Sequence, residues 1–87
     1  MNNYQRFFSP EVLNDLKKIK SNFELQKRLE KKIQEILQNP YHYKPLRNIL
    51  KNRRRTHIGS FVLIFEIDEP NQLVSFHSFK HHDDAYK

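Results

Sequence analysis

From Pro10 onward the apolar residues fall into two helical stripes and then change to a strand alternation. Val12, Leu13, Leu16 and Ile19 recur at three- and four-residue spacing, with Asp15, Lys17, Lys18 and Lys20 between them, which predicts an amphipathic helix. Ser9-Pro10-Glu11 opens it: the serine hydroxyl can cap free N–H groups, Pro loses nothing at the first helical position, and Glu suits the positive end of the dipole. Ser21-Asn22-Phe23-Glu24 reads as a capping box that restarts the helix after a break. Leu25, Leu29, Ile33, Ile36 and Leu37 carry the second stripe until Asn39-Pro40 closes it. Two helices of about three and four turns joined by so little chain should lie antiparallel, as a hairpin. Ahead of them, Tyr4–Ser9 is short and aromatic and reads as a first strand.

The second half supplies what those stripes can cover. After a loop over Tyr41–Asn52, strand character appears in Arg53–Gly59, Phe61–Asp68 and Leu73–Phe79. Phe61, Leu63, Phe65 and Ile67 alternate with Val62, Ile64, Glu66 and Asp68, so the middle segment starts apolar on both faces, the mark of a central strand. Glu69-Pro70-Asn71-Gln72 has turn chemistry, and Val74 and Phe76 return on one face. The predicted class is α+β: an N-terminal strand, an antiparallel helix hairpin, then a three-stranded antiparallel meander, all forming one twisted sheet with the helices on one face. No repeat or linker interrupts residues 1–87, which read as a single domain.

Composition narrows the class. At 37% apolar and 13% aromatic residues the chain is too hydrophobic for a disordered tail. No apolar run approaches the roughly 20 residues that span a bilayer, and MNNYQRFF is no secretory leader. The absence of cysteine excludes a disulfide scaffold, thiolate zinc sites and thiol catalysis, and fits a cytoplasmic setting.

Charge changes the picture more. Sixteen Lys and Arg against ten Asp and Glu leave +6. Between Glu35 and Glu66 there is no acidic residue, yet Lys44, Arg47, Lys51, Arg53, Arg54 and Arg55 fall there, six cations that equal the whole excess. Segregation of one sign points to a polyanionic partner, nucleic acid or an acidic protein. Residues two apart on a strand share a face, so Arg53, Arg55 and His57 should line one side, and the planar fork of Arg suits a phosphate. His42, between two tyrosines, reads as a surface residue and His77 as a packing one. His77 and His81 are separated by four strand residues, roughly 13 Å, so a metal site is not expected from them. Phe7, Phe8, Phe61, Phe65, Phe76 and Phe79 are expected in the core.

The element order, with KPLRN (Lys44 to Asn48), RRRTHIGSFVLIFEID (Arg53 to Asp68) and VSFHSFKHHDDAYK (Val74 to Lys87) in sequence, resembles the RelE/ParE toxin superfamily over nearly the whole chain. The resemblance implies a toxin of a type II toxin–antitoxin system. In the RelE branch this is a ribosome-dependent, metal-independent endoribonuclease without cofactor that cleaves mRNA in the A site, leaving 2′,3′-cyclic phosphate and 5′-hydroxyl ends. It would place catalytic roles on Arg55, His57, Lys80, His81, His82 and Tyr86, with Tyr86 the first choice of base and His57, His81 or His82 the alternative acid or base, and RNA contacts on Lys44, Arg47, Lys51, Arg53 and Arg54. The implied partners are a cognate antitoxin, the ribosome and mRNA. Many relatives carry an Arg just after the aromatic of the third strand, where this chain has Val62 after Phe61. That departure leaves two alternatives open: a ParE-like topoisomerase poison without nuclease activity, and a degenerate, non-toxic binding module.

Overall fold

The computed structural model describes residues 3–46 and 52–85. In chain order they form β1 (Gln5–Phe8), α1 (Pro10–Lys17), α2 (Phe23–Gln38), a 3-10 turn (Pro40–His42), β2 (Lys44–Pro45), β3 (Arg53–Ile58), β4 (Phe61–Asp68) and β5 (Leu73–His81). The strands make one sheet in the order β1-β5-β4-β3-β2; β1 runs parallel to β5 and the other pairs are antiparallel. This is the expected α+β arrangement with one addition. The segment read as a loop over Tyr41–Asn52 contains the 3-10 turn and the two-residue strand β2, which pairs Lys44 with Arg55 and Pro45 with Arg54. So short a strand carries no readable period, and its proline suits only an edge. Among the described residues no helix is long and apolar enough to cross a membrane.

Helix ends follow local chemistry closely, with two corrections. Ser9 caps α1, its Oγ accepting from Val12 N–H at 3.0 Å, and Pro10 and Glu11 occupy the first turn as expected. The helix stops at Lys17, two residues before the apolar stripe does; Ile19 still reaches the core from the turn that follows. The cap of α2 is Asn22, not Ser21: Asn22 Oδ1 accepts from Leu25 N–H at 3.1 Å. Ser and Asn cap about equally well, so the choice falls to packing. Starting at Asn22 lets the Gln26 amide donate to Ile19 O at 2.8 Å, closing the end of the preceding turn.

The helix-facing side of the sheet is built from Ile58 of β3, Phe61, Leu63, Phe65 and Ile67 of β4, and Val74, Phe76 and Phe79 of β5, packed against Val12, Ile19, Leu25, Leu29, Ile33, Ile36 and Leu37. Phe76 and Phe79 are three apart, an odd step that strand alternation forbids. A bulge resolves it: Ile64 pairs with Ser78 and Phe65 with Phe76, so His77 is the extra residue. The phase of β5 changes there, which turns Phe79 inward and Lys80 to the opposite side. Phe7 corrects the expected core set; it lies beside Ser75 on the side away from the helices and is 52% exposed.

Helix α1 takes over from β1 along the second half of β5. Beyond Phe8 the edge of β5 would be bare, but Ser9 N–H donates to Phe76 O at 3.0 Å and Ser9 Oγ to His77 O at 2.9 Å. Nearly two turns later the Asp15 carboxylate accepts from Phe79 N–H at 2.9 Å. A buried edge amide is thereby satisfied by a side chain rather than by a strand.

Candidate nucleic-acid interface

Register across three strands sets the open face. His57 pairs with Val62, which pairs with Lys80; Arg55 pairs with Ile64, which pairs with Ser78; Lys44 of β2 stands beside Arg55. Directly paired residues point to the same side of a sheet. Val62 and Ile64 therefore form an apolar floor, 0% and 3% exposed, walled by Arg55 and His57 on one side and by β5 on the other. The tight hairpin between β3 and β4 fixes this register. Gly59 has φ +60°, the left-handed conformation that glycine takes without penalty at the first central position of such a turn.

The three arginines have three different fates. Arg53 Nε lies 3.7 Å from Glu66 Oε1, and the same oxygen is 3.1 Å from His77 Nε2, so His77 shares a carboxylate with Arg53 on the open face. Arg54 points to the helix side. It donates to Tyr43 O at 2.7 Å and its guanidinium stands 5.1 Å from the Tyr41 ring, which commits it to packing. Arg55, by contrast, has no ion-pair or hydrogen-bond partner among the described residues, and the same is true of Lys44 and His57. Lys44 and His57 are exposed and Arg55 is half-buried, and cations left without an internal partner are the ones a phosphate can reach. Arg47, Lys51 and Tyr86 lie outside the described residues.

Lys80 is on the open face by register but its ammonium turns round the edge of β5 to α1. Nζ lies 2.7 Å from Asp15 Oδ2, 2.8 Å from Asp15 Oδ1 and 2.8 Å from Glu11 Oε2. Burial alone would lower its pKa; the hydrogen bonds to Asp15 and Glu11 outweigh that and hold it above the ordinary lysine value. His81 pairs with Phe61 and so lies on the helix side of the sheet, while His82 follows in the turn, its N–H donating to Ser60 O at 2.8 Å. Neither shares a face with Arg55. The structure thus brings together Lys44, Arg55 and His57 and separates Lys80, His81 and His82 from them.

Sequence reasoning missed the contribution of α2. Arg28, Lys31, Lys32 and Glu35 line a cleft of about 320 Å³ with His57 and Ile58. Lys32 also borders a second cleft, of about 440 Å³, with His42, Tyr43, Lys44, Arg55, Thr56 and His57. Leu46 N–H donates to Arg53 O at 2.8 Å and β2 pairs with Arg54 and Arg55, so among the described residues it is the Thr56–Ile58 end of the β3 edge that borders these clefts. The positive surface therefore runs from α2 across that edge to Arg55, interrupted by one carboxylate. In the chain those helix cations are balanced by neighbouring Glu; only the turn of the helix sorts them onto one side, at the three- and four-residue steps from Arg28 to Lys31 and Lys32.

Known proteins share both the sequence and the fold. The sequence profile of the family described as the ParE toxin of the type II toxin–antitoxin system parDE matches residues 7–86. A Methanocaldococcus jannaschii protein carrying the toxin name RelE4 is 53% identical over 62 residues, 70% of this chain and 66% of that one. A Methanosarcina mazei protein is 43% identical over 56 residues, 63% of this chain and 65% of its own. The chain spans just under two thirds of the length of these curated relatives. Among solved structures, the toxin–antitoxin complex RelBE2 of Mycobacterium tuberculosis superposes with a TM-score of 0.78 at 24% identity, covering 91% of this chain and 98% of that one. The isolated Escherichia coli RelE toxin superposes with a TM-score of 0.76 at 20% identity, covering 90% and 83%. At those identities the likeness to solved structures speaks for the fold, and the profile match for descent. With its profile matched from β1 to residue 86 and its sheet order in hand, the chain belongs to the RelE/ParE toxin superfamily.

Proposed function

We propose that this chain is the toxin of a type II toxin–antitoxin pair and acts as a ribosome-dependent, metal-independent endoribonuclease on mRNA in the ribosomal A site. The observation that carries this reading is the pair Arg55 and His57. They stand two residues apart on one side of β3, unpaired among the described residues, beside an apolar floor and the cations of α2.

The reaction asks little covalent chemistry of the protein. The ribose 2′-hydroxyl attacks the adjacent phosphorus, the P–O5′ bond breaks, and the products are a 2′,3′-cyclic phosphate and a 5′-hydroxyl. A base takes the 2′ proton, a cation stabilises the phosphorane, and an acid returns a proton to O5′. Arg55 holds two non-bridging oxygens with its planar fork. His57, an imidazole beside that phosphate, gives or takes a proton. Lys44, Arg28 and Lys31 hold flanking phosphates of message or ribosomal RNA, Lys32 joins them if it leaves Glu35, 3.3 Å away, and the resemblance adds Tyr86 as base. Lys80 serves the phosphate only if it leaves Asp15 and Glu11. A cognate antitoxin would neutralise the toxin by covering the same cations with acidic side chains.

A second reading, a ParE-like topoisomerase poison without chemistry, is favoured by one observation. Val62 sits at the middle of the floor, between His57 and Lys80, where the relatives' Arg would face the phosphate. Controlled expression with mapping of RNA 5′ ends separates the two. Discrete stops inside translated codons support the nuclease. Intact mRNA during growth arrest, with DNA-damage signalling, supports the poison, and absence of arrest without antitoxin overturns both.

A further inference from the structure

Away from the basic face, the end of β5 gathers two imidazoles and a carboxylate. His81 closes β5 and His82 and Asp83 follow in a turn held by two backbone bonds, His82 N–H to Ser60 O and Asp84 N–H to His81 O, each 2.8 Å. The two rings lie 4.4 Å apart at their centroids, inclined by 31°. Asp83 reaches both: Oδ1 is 3.1 Å from His82 Nδ1 and Oδ2 is 3.5 Å from His81 Nδ1. One donor atom from each of the three residues falls within 4.8 Å of the others.

We propose that His81, His82 and Asp83 form a three-ligand site for a divalent transition cation, with zinc the best match. Zinc bonds to imidazole nitrogen and carboxylate oxygen are about 2.0–2.2 Å, which in a tetrahedron puts neighbouring donors roughly 3.3 Å apart. The two observed N···O separations, 3.1 Å to Oδ1 and 3.5 Å to Oδ2, are close to that edge length but use the two oxygens of one carboxylate, so a small rotation of the Asp83 side chain brings a single oxygen to both imidazoles. The donor set itself selects the class, since mixed imidazole and carboxylate suit zinc and its neighbours, whereas magnesium and calcium want oxygen alone. The Asp83 N–H donates to His81 Nδ1 at 3.2 Å, so the lone pair of that nitrogen faces the turn. The ion would take that lone pair and release the amide to water. Phe61 stacks edge-on to the His81 ring at 5.9 Å and the Ser60 carbonyl holds the His82 backbone N–H, so the β3–β4 hairpin positions one ring and the main chain that carries the other. His81 also borders a cleft of about 310 Å³ with Asp15, Lys18 and Asp84, which leaves room for water in the fourth position. The side chains of His82 and Asp83 are 55% and 71% exposed, so the site exchanges its ion freely and binds more weakly than an enclosed one.

This site is independent of the nuclease reading. The test titrates zinc salt into the untagged, chelator-treated full chain by isothermal calorimetry. A single saturable equivalent is expected, weakened by more than about tenfold in His82→Gln and in Asp83→Asn and unchanged in His77→Gln. Cobalt(II) substituted at the same site should give the intense visible absorption of a four-coordinate ion, and loss of that absorption in His82→Gln links it to the cluster. The variants change exposed side chains, and their circular dichroism should match the wild type. Absence of saturable binding at millimolar zinc overturns the proposal, as does binding that survives both substitutions.

Discussion

The ammonium of Lys80 lies 2.7 Å from Oδ2 of Asp15, a carboxylate on α1 whose side chain is only 2% exposed. The same carboxylate accepts the Phe79 N–H, so one acidic group closes the uncovered edge of β5 and anchors a cation of the opposite sheet face. Asp15 reads in the sequence as a solvent-facing position of an amphipathic helix. In the fold it joins helix to sheet, and it removes Lys80 from the cations available to a phosphate.

Asp15→Ala should therefore destabilise the protein by about 2–3 kcal/mol, because it leaves a buried amide unpaired and Lys80 with only Glu11. Asp15→Asn keeps an acceptor for Phe79 and should cost about 1 kcal/mol. Urea unfolding followed by circular dichroism measures both. Equal stability of all three proteins would mean that the carboxylate does not hold the edge.

Arg55→Ala should weaken binding of single-stranded RNA and lower the slope of log K against log salt by about one, as expected for one lost phosphate contact. Arg55→Lys should recover most of the affinity but little of any cleavage, since an ammonium is a point charge and not a fork. Lys20→Ala, in the connection between α1 and α2, is the control. Filter binding across a salt series and RNA end mapping supply the two readouts.

Tyr41 and Tyr4 both donate to Glu69 Oε1, at 2.6 and 2.8 Å, tying the start of the chain and the 3-10 turn to the β4–β5 turn. Hydrogen bonding to Glu69, then burial, pushes the Tyr41 phenol up to about 12 from an ordinary 10.0. A pKa raised on folding contributes stability that is whole below pH 10.0 and lost as pH rises toward about 12. Glu69 mirrors this: hydrogen bonds from Tyr41, Tyr4 and Gln72 hold it below the usual 4.5, so its share is present above that value and lost as pH falls through the depressed one. Phenolate absorbance should show one tyrosine titrating near 12, and Glu69→Ala should return it toward 10.0.

Gly59→Ala should cost about 1 kcal/mol through backbone strain alone. A Cβ there would stand 3.5 Å from Arg28 Nη1, an ordinary contact, so sterics add nothing. Gly59→Asn, better tolerated at positive φ, should cost less, and the order of urea midpoints checks the assignment.

Hydrophobic period and cap chemistry alone determined both helices, the three long strands and the α+β class, because those signals are local: Ser9 caps three residues on, and Phe61 to Asp68 alternates without outside help. The shared side of Arg53, Arg55 and His57 was legible for the same reason. Tertiary structure decided the rest. The bulge at His77 was hinted at only by the odd step from Phe76 to Phe79, and it alone turns Lys80 outward. Which cations stay unpaired depended on partners 65 residues away, as with Lys80 and Asp15, or 11 away, as with Arg54 and Tyr43. The alliance of α2 with the β3 edge, and the closing of His81, His82 and Asp83 on one another, likewise arise from chain reversals that no window of sequence contains. A side chain's charge is a local property, whereas its availability is set by what the fold packs beside it.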